Sequence, residues 1–384
     1  VRISRAHLAA TMPSGEGGYG FASAVVATSG SANAATGALG DDDAAAICAS
    51  VADAVGCAPA QVLDLSTGLI GTRLPVAVVT AGVAILARDL RADADGLAAA
   101  AAALMTTDSR RKMATARLEM PAPDGRRVPV TIAGIAKGVG MIHPRMATML
   151  AILLTDAAAE PAVLRAILRR VTARTWDQLS VDGDTSTNDT VFLLASGASG
   201  STHPDPGSPE ERTLEAAVEA VARDLARQQA ADGEGATTLL SCQVSGAVDD
   251  ADARAVARAI VSSSLVKAAI HGRDPNWGRI ASAAGNARLA DLAILEAAGM
   301  EAAEARERAG APARVVPDRT RIAIAGADVF AGIPLAFDAA AVSAAMDAPE
   351  VLVRVDLGLG TGRGEAFGCD LSEAYVIENS AYST

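Results

Sequence analysis

The stretch Lys137-Gly-Val-Gly-Met-Ile-His-Pro-Arg-Met-Ala-Thr148-Met-Leu-Ala-Ile-Leu-Leu-Thr155 joins a glycine-rich loop to a run of apolar residues. Thr148 stands at the boundary, directly after the small residue Ala147. Cleavage of the bond between them would leave the Thr148 hydroxyl beside a free amine, and an adjacent base is one way to activate a threonine nucleophile. Taken alone, a threonine before an apolar strand is more often an ordinary strand residue, so the remaining motifs must decide between the two interpretations.

Composition narrows the class of protein. The chain has 384 residues, of which 50% are hydrophobic and only 3% aromatic, so Ala, Val, Leu and Ile must build a large core. A formal net charge of −12, with no run rich in Lys and Arg, argues against a nucleic-acid partner. The cysteines lack CxxC spacing and the histidines lack the spacing of metal ligands, which predicts free thiols and no metal site.

Targeting signals are not apparent in the sequence. The longest apolar stretch, residues 76–87, is too short to span a bilayer, and the N-terminus, which starts at Val1, lacks the apolar region of a signal peptide. We therefore expect a cytoplasmic protein that does not insert into a membrane.

Apolar patterns of strands and helices are mixed along the chain, and several strands follow one another directly without strict β-α-β alternation, which predicts an α/β sandwich. Strands are expected at 22–28, 62–65, 128–135, 148–154, 191–195 and 351–357, and helices at 42–55, 75–104 with a break at 91–96, 161–171, 209–230, 249–262 and 287–311. Asp41 to Asp43 are expected to cap the helix at 42–55. The glycine-rich segment Gly358–Gly364 is expected to form a hairpin turn.

Three further segments carry candidate chemistry. Ser66-Thr67-Gly68 is expected in a loop after a short strand, either as an oxyanion hole or as an ordinary glycine turn. Lys137 could neutralise a substrate carboxylate, or it could be a solvated surface lysine. In the stretch that starts at Asp182, Thr187 stands at the sixth position, where a calcium loop has glycine, and Leu193 stands at the twelfth, where it has glutamate. We therefore interpret Asp182 to Thr190 as a polar turn that holds adjacent loops by side-chain hydrogen bonds.

Several motifs together resemble one family, the ornithine acetyltransferases, also called bifunctional glutamate N-acetyltransferases. They follow the family's order over most of the chain and comprise Ser66–Gly71, Met105–Asp108, Ala136–Ile142, Met146–Leu150, Ser180–Thr190, Asp232–Gly235, Ser264–Lys267, Asp274–Arg279, Cys369–Val376 and Glu378–Thr384. Each motif alone is weak, whereas their order and combination are specific.

The resemblance implies an α-β-β-α sandwich of the ornithine acetyltransferase type, similar to N-terminal-nucleophile enzymes. It also implies autocatalytic cleavage between Ala147 and Thr148 into an α chain, 1–147, and a β chain, 148–384. These chains would assemble as a heterotetramer of two α and two β chains. The α chain is short at its N-terminus relative to the family, whose members usually carry several dozen more residues there.

The implied reaction moves an acetyl group from N2-acetylornithine to the Thr148 hydroxyl and then to glutamate, giving ornithine and N-acetylglutamate. Acetyl-CoA is a further donor in the bifunctional members, and no cofactor is implied. By motif position the oxyanion stabilisers are Thr67 and Gly68. The substrate-binding positions are Thr106, Lys137, Thr148, Glu234, Asn379 and Thr384.

Three alternatives remain open from the sequence. The same Thr148 would serve an N-terminal-nucleophile aminopeptidase, in which water resolves the acyl-enzyme. A related acyltransferase of a specialised pathway would also share these motifs. The third alternative is an uncleaved, inactive homologue that acts as a binding or scaffold protein.

Overall fold

The computed structural model describes residues 1–12, 18–143 and 149–380. The proposed cleavage residues Ala147 and Thr148 lie outside these ranges, as does Thr384. Within them, the chain forms two compact units. The first comprises the described residues of the ranges 1–138, 146–168 and 186–221, and the second comprises those of 139–145, 169–185 and 222–384.

The described ranges contain both helices and strands, with several elements of the same type in succession. The helices are α1 (Arg2–Thr11), α2 (Gly37–Val55), α3 (Val76–Leu86), α4 (Ala94–Leu104), α5 (Pro161–Arg174), α6 (Pro209–Ala231), α7 (Asp250–Ser262), α8 (Ser264–His271), α9 (Trp277–Gly285), α10 (Leu292–Ala297), α11 (Ala302–Arg308), α12 (Ala339–Ala345) and α13 (Glu373–Asn379). The strands are β1 (Ala24–Ser31), β2 (Val62–Leu69), β3 (Lys112–Pro121), β4 (Arg127–Lys137), β5 (Leu150–Thr155), β6 (Leu179–Ser180), β7 (Thr190–Ala195), β8 (Leu239–Ala247), β9 (Arg321–Ile324), β10 (Ala327–Ala331), β11 (Glu350–Asp356) and β12 (Gly362–Cys369).

The first unit contains a parallel pair, β1 and β2, and a four-stranded sheet in the order β3-β4-β5-β7. Strand β2 is buried on both faces. One face packs with Val51 of α2 and Val83 of α3, and the other packs with α4, β4, β5 and β7 around Leu65 and Leu104. Burial on both faces explains why Val62–Leu65 is a nearly continuous apolar run and not an alternating pattern.

The second unit is built on a six-stranded sheet in the order β10-β9-β11-β8-β12-β6. Helices α7, α8, α9 and α12 contribute apolar side chains to its core. Along β11, Val351, Val353 and Val355 are buried while the intervening side chains are more exposed. The predicted period of two at this strand is therefore confirmed.

The predictions for the turn at 358–364 and for the start of the helix at 42–55 were wrong. Gly358–Gly364 does not form a hairpin turn, because β11 and β12 lie on opposite sides of β8, parallel and antiparallel to it respectively. Helix α2 begins at Gly37, before the acids that were expected to cap it. Asp43 instead points to Arg73, which donates two hydrogen bonds to its carboxylate at 2.9 and 2.5 Å.

The predicted free thiols are confirmed: all four cysteines are free, and Cys48, Cys242 and Cys369 are buried. None of the helices in the described ranges is long and apolar enough to cross a membrane. Residues 287–311, expected to be helical, form the short helices α10 and α11, which pack against Ala251 of α7 through Leu295 and Ala305.

A buried carboxylate ties β12 to its surroundings in the second unit. Asp370 accepts hydrogen bonds from the N–H groups of Thr237 and Thr238, from the Thr237 hydroxyl, and from His271 at 2.8 Å. The hydrogen bond to Asp370 raises the pKa of His271 above its ordinary value; burial opposes this shift, while the charges of Asp370 and Glu373 add to it. The protonated imidazole is therefore favoured in the folded state.

The His271→Gln variant should consequently show a pH-dependent loss of stability. Because the pKa of His271 is raised on folding, its charged form contributes stability that is fully present below the unfolded-state pKa of about 6.5 and is lost as the pH rises through the folded-state value. Urea unfolding of wild type and variant should differ more at pH 6 than at pH 9. A difference that grows with pH would show that the ion pair with Asp370 is not the cause.

Candidate active site

Thr67 and Gly68 lie in the last part of β2, and not in the loop that the sequence predicted. The strand continues because β1 runs parallel to it as far as Ser31 and pairs Ser29 with Thr67 and Gly30 with Gly68. Thr67 is 1% exposed. Gly68 has a φ of +125°, and a Cβ atom there would lie 2.3 Å from the carbonyl carbon of Gly30. Only glycine fits, because both the backbone angle and the approach of β1 exclude a side chain.

The Gly68→Ala variant should lose stability through both effects. The positive φ and the overpacking against Gly30 together should lower the free energy of unfolding by roughly 2–5 kcal/mol. The matched control is Gly71→Ala, at a φ of +84° with no atom within 4 Å of the added Cβ. It should lose only about 1–2 kcal/mol. Denaturant unfolding measures both losses, and equal losses would contradict the close approach of β1.

Lys137 ends β4 and is buried, at 3% exposure, so it is not a solvated surface lysine. Its ammonium donates to the hydroxyl of Thr106 at 2.7 Å and to that of Thr67 at 3.1 Å. These three residues were assigned separately by motif position, and the fold brings their side chains together. A buried positive charge next to two hydroxyl groups suits the binding of an anionic or strongly polarised oxygen.

Asp108 contacts Lys137 and the residue that follows it. Its carboxylate binds Lys112 Nζ at 2.7 Å, accepts the Gly138 N–H at 2.8 Å, and lies 3.9 Å from Lys137 Nζ. Burial acts to raise the pKa of Asp108, but the charges of Lys112 and Lys137 and its hydrogen bonds outweigh burial and hold the pKa below its usual value. An ionised Asp108 therefore holds both lysines in place through ion pairs. Neither Asp108 nor Lys112 was assigned a role from the sequence.

The polar turn at 182–190 forms side-chain hydrogen bonds with the backbone of neighbouring segments, as predicted. Asn188 donates its side-chain amide to the carbonyl of Ser66 at 2.8 Å and to the carbonyl of Ala32. The next residue, Asp189, accepts the N–H of Met149 at 2.8 Å. This turn therefore holds in place Met149, which follows Thr148, and Ser66, which precedes Thr67. Sequence reasoning foresaw such hydrogen bonds but not these partners.

In the second unit, Glu234 and Asn379 are in direct contact. The Asn379 side-chain amide donates to Glu234 Oε2 at 3.0 Å, and the Glu234 N–H donates to the Val139 carbonyl at 2.8 Å. The Glu234 carboxylate lies against the backbone of Gly140, where a Cβ atom would be 2.1 Å from Oε2. Because Gly140 has no side chain, the Glu234 carboxylate can occupy this space.

Other acids surround Glu234. Burial raises the pKa of Glu378, and the negative charges of Glu234 and Asp232 add to that effect. Burial likewise raises the pKa of Tyr375, with further contributions from Asp182 and other nearby carboxylates. The charges of these neighbouring carboxylates contribute to both shifts, so they create a negative potential around Glu234 that attracts a cationic ligand.

Asp182 also holds the chain that leads towards the proposed cleavage bond. Its two carboxylate oxygens accept the N–H groups of Met141, at 2.5 Å, and Ile142, at 3.0 Å. Met141 adopts a φ of +51°, which is unusual for a residue with a side chain. His143, the last described residue before the gap, has its Nδ1 3.0 Å from the Ser180 hydroxyl. No group of three or more potential metal ligands occurs among the residues that the structure describes.

Several known proteins that are similar to this chain carry the name ArgJ. The sequence model of the ArgJ family matches residues 1–384. The arginine biosynthesis bifunctional protein ArgJ of Deinococcus radiodurans is 44% identical over 361 residues, which cover 94% of this chain and 82% of that protein. Its namesake in Thermus thermophilus is also 44% identical over 361 residues, covering 94% of this chain and 83% of that protein.

A solved structure is similar as well. The crystal structure of the arginine biosynthesis bifunctional protein ArgJ of Bacillus halodurans is 36% identical, with a TM-score of 0.50. The match covers 59% of this chain and 96% of that one. The predicted fold class, α/β of the ornithine acetyltransferase type, is therefore confirmed.

Proposed function

The chain belongs to the ArgJ family, and from that membership we propose that it is a glutamate N-acetyltransferase of arginine biosynthesis. It transfers the acetyl group of N2-acetylornithine to glutamate. The observation that carries the proposal within the structure is the buried contact of Lys137 with Thr106 and Thr67, since these are three of the residues that the resemblance assigns to the substrate and the oxyanion.

The reaction proceeds through an acetyl ester of Thr148. After cleavage of the Ala147–Thr148 bond, the Thr148 amine accepts the proton of its own hydroxyl as the oxygen attacks the acetyl carbonyl. The amide C–N bond breaks, and ornithine leaves with the proton on its α-amine. The amine of glutamate then attacks the ester, which forms N-acetylglutamate and returns the hydroxyl to Thr148.

Thr67 and Gly68 stabilise the oxyanion in both steps. The Lys137 ammonium orients the Thr67 hydroxyl at 3.1 Å and supplies the positive charge that favours a negative oxygen nearby. The rigid pairing of β2 with β1 supports this assignment, because a preorganised donor needs no rearrangement when charge develops.

Glu234 and Asn379 bind the cationic end of ornithine. The carboxylate and its acidic surroundings suit the side-chain ammonium of that substrate. The Gly140→Ala variant tests this role, since an added Cβ would displace the Glu234 carboxylate. Loss of a charged hydrogen bond should raise the KM for N2-acetylornithine by about 10- to 100-fold.

The same substitution should leave folding intact, because the displaced atoms are the end of a flexible side chain. Gly285→Ala, in α9 with no atom within 4 Å of the added Cβ, is the matched control and should leave KM unchanged. Steady-state kinetics and urea unfolding of both variants separate binding from stability. A normal KM in Gly140→Ala would remove Glu234 from the substrate site.

The function itself is tested by product analysis. Incubation with N2-acetylornithine and glutamate should yield ornithine and N-acetylglutamate in equal amounts. Release of acetate without N-acetylglutamate would support the aminopeptidase-type alternative, in which water resolves the ester. Activity only with other acyl donors would favour the acyltransferase of a specialised pathway.

Three further assignments complete the proposal. Acetyl-CoA with glutamate serves as a second donor–acceptor pair, because relatives at 44% identity carry the name bifunctional protein. The cleaved chains assemble as a heterotetramer of two α and two β chains in the cytoplasm. Kinetics with acetyl-CoA and the native mass of the cleaved protein test the first two.

A further inference from the structure

The second unit contains a cavity of about 330 Å³ that holds none of the residues assigned to the reaction. Its volume is at the lower end of the range for small-molecule sites. Helix α7 forms one wall, residues 288–298 form another, and Asp177 and Gln178 close one side.

Three arginines line this cavity. Arg254 and Arg258 are four residues apart on α7, so their side chains project from the same face of the helix. Arg288 contributes a third guanidinium from the segment before α10. Guanidinium groups remain charged at all physiological pH values and bind carboxylates through paired hydrogen bonds. The cavity therefore favours a ligand with at least one carboxylate.

Two acceptors face the same space. Gln178 is 4% exposed, and its Oε1 has no hydrogen-bond partner within the described part of the chain. Burial raises the pKa of Asp177 to about 7, with Asp291 adding to the shift and Arg258 opposing it. A buried acceptor without a donor is costly, so these groups favour a ligand that also carries an N–H or O–H group.

The remaining lining limits the shape of the ligand. Alanines of α7 and the side chains of Ile294 and Leu295 provide apolar surface between the charged groups. Such a surface accommodates a short aliphatic chain between the charged groups. His143 lies at the edge of the cavity, five residues before Thr148 in the chain.

From this arrangement we propose that the cavity binds a small aliphatic carboxylate that also carries a hydroxyl or ammonium donor. Arg254, Arg258 and Arg288 bind the carboxylate, and Gln178 Oε1 and Asp177 accept from the donor. The site is separate from the reaction proposed above and does not depend on it.

Isothermal titration calorimetry with L-malate and succinate tests the site at constant ionic strength. The two dicarboxylates have the same chain length and differ by one hydroxyl group. We expect malate to bind with a dissociation constant below about 1 mM and succinate to bind at least fivefold more weakly, since only malate can donate to Gln178. No heat from malate at 10 mM, or equal affinity for the two, would overturn the proposal.

Variants locate the bound malate. Arg258→Gln should raise the dissociation constant of malate at least tenfold. If this variant does not fold, Arg288→Gln, at an exposed position, should show the same loss of affinity. Arg321→Gln, an exposed arginine on β9, is the control and should bind as wild type does. Lys137→Met should also retain malate binding. If Lys137→Met abolishes binding while Arg258→Gln and Arg288→Gln retain it, malate occupies the reaction site and the proposal fails.

Discussion

Thr148→Ala should migrate as a single chain of full length on a denaturing gel, whereas wild type should resolve into residues 1–147 and 148–384. The substitution removes the only oxygen at this position that could attack the preceding carbonyl. Acetyl transfer should fall by about 10⁴-fold or more, as for other lost nucleophiles. The measurement combines the gel with the rate of N-acetylglutamate formation.

Thr148→Ser is the matched control, because serine keeps both the hydroxyl and the future amine. It should cleave and transfer acetyl groups more slowly than wild type but measurably. Cleavage of Thr148→Ala at the same bond would exclude Thr148 as the nucleophile. Wild type that stays intact after prolonged incubation would instead favour the uncleaved, inactive homologue.

Lys137→Met should lose acetyl transfer by about 10²- to 10³-fold, the range seen when one donor of an oxyanion site is removed. Methionine fills a similar volume but donates no hydrogen bond to Thr67 or Thr106. The fold should persist, because Asp108 keeps its ion pair with Lys112 at 2.7 Å. The ratio kcat/KM and the free energy of unfolding are the two measurements.

Lys112→Met is the contrasting variant. Both partners of the Lys112–Asp108 pair have side chains that are 0% exposed, and removal of Lys112 breaks this buried ion pair and leaves Lys137, at 3.9 Å, as the other cation beside Asp108. The free energy of unfolding should fall by about 3–5 kcal/mol. If Lys137→Met lost comparable stability while its folded fraction kept full activity, Lys137 would be a structural residue and its proposed role would be wrong.

Long periodic elements were predictable because their patterns are local. Residues 209–230 carry a helical pattern that the structure shows as α6, and the break predicted at 91–96 lies at 87–93, between α3 and α4. Pairing between strands was not predictable from such patterns. Strand β8 pairs with β11 on one side and with β12 on the other, and the glycines of 358–364 do not reveal this arrangement.

The rarity of lysine in this sequence is a signal of buried charge. The chain has lysine only at 112, 137 and 267, and all three side chains are buried. Lys267 donates to the Cys369 carbonyl at 2.6 Å, so it too has an internal partner. In a chain whose surface cations are arginines, a lysine marks an interior charge, and this signal could have identified Lys112 and its partner Asp108.

The sequence by itself determined the family and the candidate nucleophile, because a hydroxyl beside a potential free amine is a property of one residue and its neighbour, and because motif order needs no coordinates. Only the tertiary structure decided that Lys137 contacts Thr67, 70 residues away, and that Gly68 lies against Gly30. These contacts depend on which strands pair and in what register. Side-chain burial and packing over the whole unit set that choice, and no local pattern encodes it.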